Sequence, residues 1–492
     1  MIRRESLLRS LVWLCLFSAF SALICACTVG PNYRKPPEQM PAKWSETAHG
    51  VTDGTAEVSQ WWTRFNDPEL DSLIERAVLA NKDLKIAEAR VREARAQRRV
   101  VAADLYPTVD VSGAYSYSKR SENSSAALSS QAGAGGGNAS QAGVAFDPQD
   151  LFQAGFDASW ELDIFGGTRR AIEAADADTA AWEENRRDVL VTLLSEVARN
   201  YLQLRGDQLR IAIARDTIAS QKQTVELTEV RFEAGLSSEL DVSQARAQLA
   251  TTQARIPALE RSARQAVHQL GVLLGQEPGS LLDELLVEKP LPPVPPEVPI
   301  GLPSELLRRR PDIRRAEREL AAATARIGVA TADLFPSFSL TGAVGQLSTD
   351  ISNIGSSGST FYSIGPTIRW PIFDAGRIRA NIQVQNARQE QSLISYERTV
   401  LVSLRDVEDA LIAYTKEQAT RTSLKDAVTA NSRAFEIASE LYARGLVDFL
   451  NVLEAQRALY LTQDEFAQSE QRISSDLVAL YKALGGGWDI AP

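Results

Sequence analysis

Hydrophobic residues recur at every seventh position over two long stretches of this chain. Leu190, Val197, Leu204, Ile211, Ile218, Val225 and Phe232 form one ladder, and Val400, Val407, Tyr414, Arg421, Val428, Phe435 and Tyr442 repeat it 210 residues later, with Arg421 its one break. Each ladder runs into a Gly-Leu pair, Gly235-Leu236 or Gly445-Leu446, and a new ladder follows. These are Val242, Leu249, Ile256, Ala263 and Leu270, and Val452, Leu459, Phe466, Ile473 and Leu480. A strict seven-residue period predicts helices that supercoil around neighbours over a long distance. Ordinary amphipathic core helices fit shorter runs. A single helix from Gly167 to Phe232 would be roughly 100 Å long at ~1.5 Å per residue, more than a globular domain needs. Glycine tolerates positive φ and suits the reversal between antiparallel helices, whereas Pro257 should kink or interrupt the helix that carries it.

Elsewhere the period changes to two. Val109, Val111, Tyr115 and Tyr117 alternate with Asp110, Ser112, Ser116 and Ser118, and Phe152, Ala154, Phe156, Ala158, Trp160 and Leu162 alternate with Gln153, Asp157, Ser159, Glu161 and Asp163. A second pair follows through Phe338, Leu340, Gly342 and Val344, then Tyr362, Ile364, Ile368, Trp370 and Ile372. The expected strands are 108–118, 151–164, 337–347 and 360–372. Alternation alone fits a half-buried soluble sheet as well as a transmembrane β-barrel. If the strands lie in lipid, four cannot close a barrel, whose minimum is about eight, and lipid tolerates no open edges. Such a barrel must be shared between two or more copies.

The two halves are duplicates. Ala103-Asp104-Leu105-Tyr106-Pro107 matches Ala332-Asp333-Leu334-Phe335-Pro336 at an offset of 229, so the first copy carries about 19 extra residues, in the Gly/Ser/Ala-rich stretch around 121–145. Between the copies Lys289-Pro290 through Pro299 reads as an extended linker. The expected organisation is a signal peptide over 1–26, an N-terminal arm over 27–70, repeat 1 over 71–282, a Pro-rich linker over 283–302, repeat 2 over 303–485 and a tail over 486–492. The fold class is mostly α with membrane β: tandem-duplicated long helical hairpins plus four strands.

Composition narrows the function. Arg3, Arg4 and Arg9 precede an apolar run, Leu11 to Ile24, too short to span a bilayer but suited to a signal-peptide core. It ends in Leu23-Ile24-Cys25-Ala26-Cys27, which resembles a bacterial lipobox with Cys27 as the lipidated residue. Cleavage would leave Cys27 as the one cysteine of the mature chain, hence no disulfide. The formal charge of −10 becomes about −12 without the signal segment, which disfavours nucleic acid. With His49 and His268 the only histidines, His/Cys metal ligation has no material. No nucleophile elbow, phosphate loop or paired-carboxylate motif stands out, and the chain reads as a non-enzyme without a cofactor beyond a covalent lipid.

The arm from Cys27 through Gly30-Pro31-Asn32-Tyr33 to Pro36, the Arg310-Pro311-Asp312-Ile313 start of the second copy and the two Gly-Leu hairpins resemble outer-membrane efflux lipoproteins. These form the NodT/OprM-type branch of the TolC-like outer-membrane factor superfamily. The resemblance covers essentially all of the mature chain. It implies a homotrimer whose twelve strands form one β-barrel in the outer membrane of a Gram-negative bacterium, continuous with a periplasmic α-helical barrel. It further implies the exit duct of a tripartite efflux pump, passively conducting small molecules delivered by an inner-membrane transporter through a periplasmic adaptor, or membrane fusion protein. The branch favours an RND-type transporter.

In such proteins the hairpin tips, here 231–242 and 442–454, meet the adaptor. The matching residues are Arg231, Gly235, Leu236, Ser237, Gly445, Leu446 and Val447. The tips also close the duct, and the resemblance places the gate at Leu450, Asn451 and Glu454, with Asp241 hydrogen-bonded to Tyr442 across neighbouring helices. Asn451 stands where the family has an acid and Val447 where some relatives have an arginine, so the gate leans on rings of Leu450 and Glu454. Carboxylates gathered on a threefold axis repel one another and favour bound cations. Other readings stay open: a type I protein-secretion duct, a trimeric coiled-coil lipoprotein with no conduit, and a periplasmic adaptor. The stalk does not account for four barrel-type strands in two pairs, and adaptors carry one hairpin between lipoyl-like halves.

Overall fold

A computed structural model describes residues 28–37, 40–45, 51–52, 58–119, 148–295 and 298–489. Cys27, the signal segment and the Gly/Ser/Ala-rich stretch lie outside the described residues. The chain forms two compact units, each assembled from three separate segments.

One unit contains the sheet. Strands β1 (Thr108–Ser118), β2 (Gln149–Leu162), β3 (Ser337–Ser348) and β4 (Thr360–Arg369) lie in sequence order, antiparallel throughout. In-register pairs such as Asp110 with Asp157, Gly155 with Gly345 and Gly345 with Phe361 put most polar positions of the four strands on one face. Val109, Val111, Phe156, Tyr362 and Ile364 occupy the other, where they are exposed. The last strand stops before Trp370, short of the expected Ile372, because Pro371 has no N–H to continue the ladder. Trp160 Nε1 donates to Leu105 O at 2.9 Å and Trp370 Nε1 to Leu334 O at 3.0 Å. The same tie therefore recurs in both copies, from the end of a strand to the segment that precedes its hairpin partner.

The other unit is helical. Helix α1 (Pro68–Ala80) begins at Asp67, whose carboxylate accepts from Glu69 N and Leu70 N, with proline in the first turn. Then come α2 (Lys82–Ala103), α3 (Gly167–Glu233), α4 (Glu239–Gln253), α5 (Ile256–Leu273), α6 (Pro311–Ala332), α7 (Arg377–Ala443) and α8 (Phe449–Ala483). Parts of α2, α3, α6 and α7 belong to the first unit. Both α3 and α7 are 67 residues long without a break. The ladder residues Leu190, Val197, Leu204, Val400, Val407, Tyr414, Ile473 and Leu480 are buried in one core with Trp61, Trp62, Phe65 and Tyr481. Trp61 stacks on Tyr481 at 5.4 Å.

Arg205, 0% exposed, sits in that core. It pairs with Glu69 and donates to Gln208 Oε1 at 2.6 Å and Val287 O at 2.9 Å, while Lys289 reaches Glu69 at 3.0 Å. One buried guanidinium thus joins α1, α3 and the start of the linker. Arg421, the break in the second ladder, points outward and pairs with Glu470 at 2.8 Å. Helices α4 and α5 part at Ala254 and Arg255, just before Pro257. The corresponding residue in the second copy is Ala467, buried inside the unbroken α8.

Candidate functional site

The two hairpin tips are built by the same local device. Gly235 has φ +71° and Gly445 φ +72°, a backbone region in which an L side chain is strained. Leu236 N donates to Arg231 O at 2.8 Å and Gly235 N to Phe232 O at 2.9 Å, and Leu446 N and Gly445 N do the same to Leu441 O and Tyr442 O, both at 2.9 Å. These paired bonds satisfy helix-end carbonyls while reversing the chain.

The return helices differ. In the first tip Ser238 caps α4: its hydroxyl accepts from Asp241 N at 3.3 Å, and Asp241 Oδ2 accepts from Ser238 N at 3.2 Å. In the second, Asp448 makes no side-chain cap, and the Asn451 amide donates to Asp448 O at 3.3 Å. The Ser238-x-x-Asp241 spacing is a readable capping signal.

Arg231 joins the tips. Its guanidinium carbon lies 4.7 Å from the Tyr442 ring centre, and Nη1 donates to Tyr442 O at 3.1 Å and Ala443 O at 3.4 Å. A cation over an aromatic face and against the carbonyl end of α7 is doubly favourable. Because its own carbonyl accepts from Leu236 N, Arg231 takes part in both turns.

Tyr442 is 3% exposed and packs with Ala245, Phe449, Val452 and Leu453 in a small core at the tips. The expected hydrogen bond from Tyr442 to Asp241 is not formed within the chain. Asp241 is engaged by the capping box, and Tyr442 Oη has no hydrogen-bond partner among the described residues. Burial pushes this phenol above its ordinary range, with Arg231 opposing the rise and Asp241 adding to it.

Leu450, Asn451 and Glu454 lie on one exposed face of α8, opposite the buried Phe449, Val452 and Leu453. Glu454 approaches Arg457 at 3.5 Å. Leu236 and Leu446, each 66% exposed, top the two turns, and Ser237 Oγ donates to Thr228 O at 3.3 Å. Val447 packs partly against the tip core. The geometry brings Arg231, Tyr442 and the two glycine turns together, and keeps Leu450 and Glu454 facing away from the chain's own core.

No described helix is long and apolar enough to cross a membrane. The lipid-facing candidate is instead the exposed apolar face of the sheet.

The outer membrane efflux protein family model matches residues 73–276 and 302–486, leaving the Pro-rich linker between the two matched segments. Pyoverdine export outer membrane protein OpmQ of Pseudomonas aeruginosa is 35% identical over 471 residues, 95% of each chain. Nodulation protein T of Rhizobium leguminosarum bv. trifolii is 33% identical over 472 residues, 96% of each. Among solved structures, the outer-membrane channel OprN superposes with a TM-score of 0.84 at 40% identity, covering 94% of this chain and 100% of that one. CusC does so with a TM-score of 0.81 at 30% identity, covering 94% and 100%. This chain belongs to the outer membrane efflux protein family, and it is a Gram-negative outer-membrane channel of efflux pumps.

Proposed function

We propose that three copies close one β-barrel and one helical duct, lipid-anchored at Cys27, through which small molecules pass without energy input from this chain. The supporting observation is the sheet: β1 and β4 are edges within the chain, and each strand puts exposed apolar residues on its apolar face. Open edges cannot persist in lipid, so each edge finds its partner in the next copy. A periplasmic adaptor docks at Arg231, Gly235, Leu236, Ser237, Gly445, Leu446 and Val447, and an inner-membrane transporter of the RND type supplies the energy. Leu450 and Glu454, with Asn451 beside them, form rings that narrow the periplasmic end. Tyr442 Oη hydrogen-bonds to Asp241 across neighbouring helices of adjacent copies.

The test is conductance of the purified mature protein in a planar bilayer, after its mass is checked as a trimer. Small cation-preferring channels that widen in Leu450→Ala/Glu454→Ala are expected. An assembled trimer that conducts nothing in either form rejects the conduit, and equal conductance in the two forms rejects this gate.

A further inference from the structure

The polar face of the sheet, which lines the bore if the barrel proposed above forms, carries Ser, Thr, Gly, Ala, Gln, acidic residues, Arg369 and two leucines. It carries one aromatic residue among the described strand positions, Phe361. Phe361 ends the cross-strand row Ser112, Gly155, Gly345, Phe361. A Cβ on Gly155 would lie 2.7 Å from Val344 O and 2.9 Å from Gly345 Cα; one on Gly345 would lie 2.5 Å from Ala154 O and 2.9 Å from Phe361 Cε1. Neither position admits a side chain, so β2 and β3 meet backbone to backbone and the phenyl ring lies over Gly345.

Phe361 is half-buried, whereas Tyr362 on the opposite face is 82% exposed. Packing an aromatic ring over a strand glycine covers one side of the ring and leaves the other toward the bore. The adjoining row places Asp110 directly opposite Asp157, with Ser112 Oγ donating to Asp157 Oδ2 at 2.9 Å. These carboxylates lie two and three strands from Phe361 on the same face, so they act on a solute through the field of the bore rather than by contact. Field and ring together complement a solute that carries both positive charge and a flat apolar part.

We infer that Phe361 is a stacking station for aromatic cations in transit, its ring packed over Gly345 and the cation drawn into the bore by the field of Asp110 and Asp157. This rests on the conduit reading. The test is block of the single-channel current by benzyltrimethylammonium added on the side of the strand turns. Phe361→Ala should weaken that block roughly five- to tenfold while the potassium current stays the same, and Phe361→Trp should preserve it. Phe361→Leu, which keeps apolar bulk over Gly345, should also lose the block, and it serves if the alanine variant does not assemble. Unchanged block in Phe361→Ala, or full block in Phe361→Leu, overturns the inference. A purely structural role would lower trimer heat resistance and leave the block unaltered. A wild-type trimer without channels would defeat the conduit reading, and this inference with it.

Discussion

Arg231 shows how much one side chain can do at a helix end. The guanidinium sits on the Tyr442 ring and holds the carbonyl end of α7, so its loss removes the polar tie between the tips and leaves their small apolar core. Arg231→Ala should raise resting conductance severalfold with the trimer intact. Arg231→Lys, which keeps charge but not the planar fork, should fall between; wild-type conductance in both would remove Arg231 from the closed state. A second residue sets a pH response. Burial pushes Asp476 up to about 6, with Glu417 adding to the rise and Arg472 and Arg199 opposing it. The ordinary value is 3.8, so the folded chain binds this proton more tightly than the unfolded one. The stabilisation is full below about pH 4 and is lost as pH rises through about 6. The difference in melting temperature between wild type and Asp476→Asn should therefore grow, in favour of the variant, from pH 5 to pH 7. A constant difference would show that Asp476 does not titrate there.

Among the elements, the long helices were legible in the sequence because packing against neighbours over many turns enforces the seven-residue period. The two faces of the sheet were legible too. Its register was not, since alternation fixes which way a side chain points and leaves the partner open; that Gly155 meets Gly345 and Gly345 meets Phe361 came only from the fold. At the tips, the glycine turns could be read from composition, but the reach of Arg231 to a carbonyl 211 residues away depends on two turns meeting in space. Within the chain Asp241 closes a capping box with Ser238, a local bond that the Ser-x-x-Asp spacing made legible. The duplicated helices also permit a comparison inside one chain. Pro257 is tolerated where α4 gives way to α5, whereas Ala467 is buried in an unbroken helix. Ala467→Pro should cost about 3 kcal/mol or more and lower the trimer's thermal midpoint, while Pro257→Ala should leave it nearly unchanged. Equal losses from the two would mean that the break near Pro257 is not set by the proline.

For the whole molecule, the decisive separation is between assembling a duct and handing cargo to it. The sheet and the buried Arg205 and Glu69 network lie in elements that do not include the tip glycines, so a change at Gly235 or Gly445 should leave assembly in place. Gly235 has no atom within 4 Å of where a Cβ would stand, and Gly445 has only Arg231 Nη2 at 3.7 Å, so the cost of substitution there is conformational rather than steric. Asparagine tolerates the left-handed region, so Gly235→Asn and Gly445→Asn should retain the turn. An arginine at either position adds strain and a bulky charge beside Leu236 or Leu446. With docking at the tips, Gly235→Arg or Gly445→Arg should abolish efflux from cells while heat-resistant trimers still reach the outer membrane, and the asparagine variants should keep most of it. Full efflux in both arginine variants would move the adaptor contact away from the turns, toward the exposed sides of α4 and α8.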